Sequence, residues 1–195
     1  LTAARRGHGV TLIERQGTLG GALEIAATLS FKSGLRRYLD YLYRAVEGAG
    51  VAIIVDRDIS EMGDLVADAD DLILALGGQW ILPDHPGIDV IDPLSAIADT
   101  GVVGDSVVVS GADLVGAETA WHLATTGRKV TLIDSRDGYG EDVNLVSKLV
   151  VPGALGDAGA TVLFGCSIIG AESGTLVIDR GDGPERIEVE TLVAA

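Results

Sequence analysis

Two stretches of this chain repeat one pattern, and that internal echo constrains the fold more than any other feature. Residues 3–21 read AARRGHGVTLIERQGTLGG, and residues 120–140 read AWHLATTGRKVTLIDSRDGYG. Each gives the end of a helix, a glycine turn and a short apolar strand closed by a carboxylate: GVTLIE to Glu14 and KVTLID to Asp134. A short apolar run that follows a helix and ends in an acid has the pattern of the second strand of a βαβ nucleotide-binding unit. Two such units in tandem make the chain α/β, with Rossmann-like three-layer packing of helices on a parallel sheet.

The segments between the echoes fit that reading. Leu35, Tyr38, Leu39, Leu42 and Val46 recur at helical spacing between Gly34 and Gly48, and a strand follows at 51–55. Asp70 to Leu76 (DDLILAL) has the composition of another buried strand, ending in Gly77-Gly78, and QWILPDHPGID after it, with two prolines, predicts a connector. Then come a strand at 106–110, a helix over 114–126, a strand at 129–134 and a helical region near 142–158 that Pro152 should break. A strand at 160–164, a hairpin around Gly181-Asp182-Gly183-Pro184 and a final apolar run, TLVAA, complete the chain.

The expected division is a partial dinucleotide-binding half over 1–78, a connector over 79–100, a complete dinucleotide-binding domain over 101–192, and the start of a return strand at 193–195. The first half reads as truncated because its echo begins within a helix, with no strand or glycine fingerprint before it.

The second half carries the chemistry-bearing motif. Gly111-Ala112-Asp113-Leu114-Val115-Gly116 is G-x-D-x-x-G where a dinucleotide fingerprint reads G-x-G-x-x-G. A strand precedes it, a helix follows, and Asp134 lies 23 residues past Gly111. Gly111 would make the tight turn, and Gly116 would let the helix sit close to the sheet. Asp134 would accept from a ribose 2′-hydroxyl and repel a 2′-phosphate, favouring NAD over NADP. Asp113 has two readings. Either it caps the helix and its carboxylate fills the anion site, or it turns away and leaves room for a nucleotide. In the first half, Glu14 is the corresponding ribose acid, and Gly20-Gly21 a close backbone approach to a cofactor.

Composition narrows the partners. Lys and Arg number 14 against 29 acids, a net charge of -15. That surface repels phosphate backbones and anionic lipid, which argues against nucleic acid and membrane partners. The single cysteine, Cys166, excludes an internal disulfide, a redox pair and a cysteine metal site, and fits a reducing cytoplasm. His8, His85 and His122 share no metal-ligand spacing, and Ser110 lacks a nucleophile elbow. No catalytic or metal-binding set emerges. The 27 glycines, about twice the usual share, suit a chain with many tight turns and backbone approaches.

The order of Glu14, Gly20-Gly21-Ala22-Leu23, LALGG at 74–78, Pro86-Gly87 and SGADLVGAETA at 110–120 resembles the two-dinucleotide-domain flavoprotein reductases. It is most similar to the C-terminal region of the old-yellow-enzyme-like multidomain oxidoreductases, a group that includes 2,4-dienoyl-CoA reductase and the trimethylamine and histamine dehydrogenases.

The resemblance implies an FAD-type domain interrupted by an NAD(P)-type domain, with FMN and an iron–sulfur cluster in a separate N-terminal barrel. It would assign FAD contacts to Glu14, Gly20, Gly21, Leu76 and Gly77, and the NAD(H) or ADP site to Gly111, Asp113, Gly116 and Asp134. Glu118 matches an acid common on that helix. It further implies that the barrel and the opening strand of the FAD site lie outside these residues, leaving that site incomplete. The function implied is the nucleotide-binding portion of a flavin-dependent oxidoreductase, without turnover by itself. The alternative is a degenerate nucleotide-fold module that binds ADP structurally, or nothing, and scaffolds a partner domain.

Overall fold

The computed structural model describes residues 1–195, and the chain divides into two compact units, Leu1–Gly78 and Gln79–Ala195. The first unit runs α1 (Thr2–Arg5), β1 (Thr11–Ile13), α2 (Gly21–Ala26), α3 (Ser33–Gly48), β2 (Ala52–Ile54) and α4 (Gly63–Ala67). β1 and β2 pair in parallel, Leu12 opposite Ile53, so α2 and α3 form the crossover between them. Leu39 on the inner stripe of α3 is almost wholly buried, while Tyr38 and Tyr41 face outward and stack on each other.

One expectation fails in this unit. Asp70–Leu76 does not form a buried strand: residues 70–82 take no regular structure, and Ile73 and Leu76 are 84% and 73% exposed. Strand composition is not sufficient for a strand, because a strand forms only by pairing its backbone groups with a neighbour. The unit's one sheet is β1–β2, and this run joins neither strand.

The second unit holds the larger core. β3 (Asp89–Ile91), α5 (Pro93–Ala98), β4 (Ser106–Ser110), α6 (Leu114–Thr125), β5 (Lys129–Ile133), α7 (Leu145–Asp157) and β6 (Thr161–Leu163) come first. An antiparallel trio follows: β7 (Ser167–Glu172), β8 (Thr175–Asp179) and β9 (Pro184–Glu188). β10 (Thr191–Ala194) closes the order. Five strands make a parallel sheet in the order β3-β10-β4-β5-β6.

The alternation of the strands sorts side chains to two faces. Val107, Val109, Val130, Leu132 and Val193 meet α5, α6 and α7 through Ala96, Ala117, Ala120, Leu123, Val151 and Leu155. Val108, Ile133 and Leu192 point the other way and pack on Leu176, Ile178 and Cys166 beside the antiparallel sheet. Helices, parallel sheet and antiparallel sheet are the three layers, in agreement with the α/β three-layer expectation.

Three local outcomes refine the sequence reading. Within 79–100, Asp89–Ile91 and Pro93–Ala98 take regular structure, with Asp92 capping α5 through the Ser95 N–H at 2.9 Å. Val193 and Ala194 belong to β10, where Val193 pairs with Ile91 on one side and Val109 on the other. Pro152 does not break α7, which runs continuously from Leu145 to Asp157. Val151 and Leu155, buried on either side of the proline, hold the helix against the sheet and offset the missing N–H bond.

Candidate functional site

In each unit the residues after the echo strand repeat one hydrogen-bond pattern. In the first, the Gln16 N–H donates to Glu14 Oε1 at 2.8 Å, the Arg57 N–H to the Glu14 carbonyl and the Asp56 N–H to the Gln16 carbonyl. In the second, the Arg136 N–H donates to Asp134 Oδ1 at 2.8 Å, the Cys166 N–H to the Asp134 carbonyl and the Gly165 N–H to the Arg136 carbonyl. Asp56 and Gly165 hold matching positive φ angles of 56° and 61°. Glu14 and Asp134 are thus structurally equivalent. What differs is the other side of each strand: β5 pairs with β4, whereas β1 pairs with β2 alone.

The turn from β4 into α6 is built by close backbone approach. Gly111 has φ 113°, a conformation side chains rarely adopt. A Cβ on Gly116 would overlap the Gly111 carbonyl oxygen and stand 3.0 Å from the Ala195 Cβ. Only glycine lets the first turn of α6 sit this tightly on the strand end, which is the part the sequence motif assigns to it.

Asp113 is the N-cap of α6, its Oδ1 accepting from the Gly116 N–H at 2.9 Å. Of its two readings, the geometry is that of the cap. The loop after β5 adds a second carboxylate: Asp142 Oδ2 accepts from the Leu114 N–H at 3.1 Å, and the Gly140 N–H donates to the Ala112 carbonyl at 2.9 Å. The sequence reading missed Asp142, since only the folded loop brings it to α6. Two carboxylates thus already sit where a helix N-terminus attracts anions.

Asp134 is buried and its carboxylate is fully engaged. Oδ2 accepts from the Ala112 N–H and Arg136 Nη2, each at 2.6 Å, and Oδ1 from the Arg136 N–H at 2.8 Å and Nε at 2.9 Å. The Arg136 guanidinium, with the two backbone donors, holds the carboxyl down at a pKa of about 2 against an ordinary 3.8, despite desolvation. Asp134 therefore ties the β4–α6 turn to the end of β5. The sequence expectation that it accepts from a ribose hydroxyl meets a carboxylate whose acceptor positions are filled from within the chain.

The sign of the linkage is fixed by that depressed value. The contribution is present above the ordinary pKa and lost as pH falls through the folded one, so its window runs from about pH 5 to about pH 2. It amounts to roughly 2 kcal/mol. Urea titrations of wild type and Asp134→Asn should show a stability gap that narrows by about this amount across the window. A gap independent of pH would contradict the assignment.

A cleft of about 440 Å³ opens beside this pair, lined by Ser110, Gly111, Asp134, Ser135, Arg136, Cys166, Ser167, Ile168 and Ala195. That is within the usual size of a small-ligand pocket and at the carboxyl ends of the parallel strands, where ligands of open α/β sheets bind. Burial raises the pKa of the Cys166 thiol and keeps it protonated. Glu118 lies partly exposed on α6, beyond Gly116.

In the first unit, Tyr43 on α3 fixes the loop after β1, donating to Glu24 Oε2 at 2.6 Å and lying 2.9 Å from the Leu19 carbonyl. Burial and the Glu24 bond push its pKa up to about 12. A Cβ on Gly20 would stand 2.6 Å from the Tyr43 hydroxyl, so Gly20 is small to admit Tyr43, whereas Gly21 borders open space. Leu76 and Gly77 lie in the exposed irregular stretch, with no hydrogen bond to the Glu14–Gly21 loop. The structure does not bring them together with the other flavin-site candidates.

Comparison with known proteins gives these geometries a lineage. The pyridine nucleotide-disulphide oxidoreductase family matches residues 1–195. An NADH oxidase of Thermoanaerobacter brockii is 33% identical over 157 residues, covering 76% of this chain and 24% of the oxidase. A 2-naphthoyl-CoA reductase structure superposes with a TM-score of 0.85 at 22% identity, over 99% of this chain and 30% of that one. Histamine dehydrogenase from Rhizobium sp. 4-9 does so with 0.83 at 20% identity, over 98% and 32%. The chain thus spans about a quarter to a third of these relatives, and the fold implied by the resemblance drawn from the motifs is borne out. With its glycine turn, its paired echo strands and a match along its whole length, the chain belongs to the pyridine nucleotide-disulphide oxidoreductase family, a flavin- and NAD-dependent redox lineage.

Proposed function

We propose that the second unit binds a pyridine dinucleotide, with its pyrophosphate over the Gly111–Gly116 turn and its adenosine end in the cleft beside Asp134 and Arg136. The observation that carries this reading is the β4–α6 turn, where Gly116 has no room for a Cβ and the helix N-terminus meets the strand end. The first unit supplies Glu14, Gly20 and Gly21, and in the intact protein Leu76 and Gly77, to an FAD site. When bound, the nicotinamide supplies hydride for flavin reduction. The residues of this chain bind, orient and space the nucleotide; Glu118 lines α6 behind it.

The reaction of the whole enzyme, reduction of an activated alkene or oxidation of an amine, belongs to a barrel domain with FMN and an iron–sulfur cluster. The setting is the cytoplasm. Residues 1–195 alone have no turnover, because the side chains at the turn position a ligand and none is placed for proton chemistry on a substrate.

A second reading is favoured by one observation: Asp113 and Asp142 occupy the Gly116 and Leu114 N–H groups. In it the unit is a degenerate module that holds ADP structurally, or no nucleotide, and scaffolds its neighbours. Calorimetric titration with NADH, NADPH and ADP separates the two. Dinucleotide binding at micromolar to submillimolar concentration supports the first reading. Binding of ADP alone, or of nothing at millimolar concentration, supports the second.

A further inference from the structure

All four acceptor positions of Asp134 are taken by Ala112 and Arg136. A ribose 2′-hydroxyl, which must donate to be read by a carboxylate, finds no acceptor there. Arg136 has the opposite surplus. A guanidinium carries five N–H donors, and two of them, on Nε and Nη2, are spent on Asp134. Three remain on a side chain 51% exposed, at the rim of the cleft that Ser110, Ser135 and Ser167 also line.

We propose that Arg136, not Asp134, reads the adenosine ribose, and that this end of the site prefers a 2′-phosphate to a 2′-hydroxyl, making NADPH the better ligand. This rests on the dinucleotide reading above. A phosphate monoester offers three acceptor oxygens to the unspent donors, in the planar geometry at which arginine excels. Asp134 is then a positioning residue. Its two salt-bridged contacts fix the guanidinium plane, and its bond to Ala112 fixes that plane relative to the turn holding the pyrophosphate.

The electrostatics set the size of the preference. Asp134 neutralises Arg136, and Asp113 and Asp142 also bear on it. The 2′-phosphate is therefore held by charge-assisted hydrogen bonds and not by a net positive field. We expect about a tenfold preference, short of the far larger ratios that a cluster of unpaired arginines would give.

The test uses ligands that differ only at the 2′ position. Calorimetry of the full chain with 2′,5′-ADP and 5′-AMP, and with NADPH and NADH, should give about tenfold tighter binding for the 2′-phosphorylated member of each pair. Arg136→Ala should abolish that advantage and turn it toward NADH, because it frees the Asp134 oxygens to accept from a ribose hydroxyl. Arg136→Lys, which keeps the charge without the planar fork, should retain only part of it, and melting curves of both variants confirm that they fold. Equal or tighter binding of NADH by the wild-type chain overturns the proposal and leaves the dinucleotide reading standing. Absence of binding by every nucleotide overturns both.

Discussion

Gly116→Ala should lower the stability of the second unit by about 3 kcal/mol, the upper part of the range for overpacking a tight site. For a unit of this size that corresponds to a fall in melting temperature of roughly 10 °C. The added methyl would meet the Gly111 carbonyl oxygen, which is backbone, with the Ala195 Cβ 3.0 Å away on its other side. Neither neighbour can rotate aside. Relief requires α6 to lift from the sheet, loosening Ala117, Ala120 and Leu123 from a core in which all three are fully buried. It would also separate the Asp113 cap from the strand end, so dinucleotide binding should fail with it. Differential scanning calorimetry measures the first effect, and a transition within about 2 °C of wild type would show that the turn has slack.

Asp113→Gly should raise dinucleotide affinity about fivefold or more. The substitution restores the middle glycine of the fingerprint and removes a carboxylate that now occupies the Gly116 N–H. A like charge about 4 Å from a phosphate costs ~1 kcal/mol in water and ~4 kcal/mol at an effective dielectric near 20. Relief of that repulsion spans roughly fivefold to several hundredfold in affinity. The loss of the cap costs only a few tenths of a kcal/mol when glycine is the replacement. Asp113→Asn separates the two contributions, because it keeps a capping oxygen and loses the charge. If the charge dominates, Asn gains nearly as much as Gly. Calorimetric titration showing no gain in either variant would mean that Asp113 does not obstruct the site, and the degenerate reading would lose its motive.

Much of this was legible in the sequence because the echo is a matter of local chemistry. A helix end, a glycine and an apolar strand closed by an acid predict their own geometry, and Glu14 and Asp134 prove equivalent down to the backbone bonds of the following residues. The cap at Asp113 was visible as one of two options, because an aspartate before a helix has only a few groups within reach.

Part of what escaped depends on contacts distant in sequence. Asp70–Leu76 has strand composition, yet strands need a pairing edge, and composition says nothing of one. Asp142 lies 28 residues from the Leu114 N–H that it accepts from, across a loop with no periodic signal. At Asp134 the contact is local, and what the spacing rule omits is the side chain two residues on: the Arg136 guanidinium donates to both carboxylate oxygens. Pro152 lies within a continuous α7 because buried Val151 and Leu155 hold the helix on both sides of it.

A pyridine dinucleotide bound on the β4–α6 turn of the second unit would perturb the amides that surround it. Amide ¹H–¹⁵N spectra of the chain titrated with NADPH test it residue by residue. Saturable shifts are expected at Gly111, Ala112, Leu114 and Gly116, extending to Ser135 and Arg136, with the second unit's core amides unmoved. Shifts confined to other surfaces, or none at saturating NADPH or NADH, would contradict it.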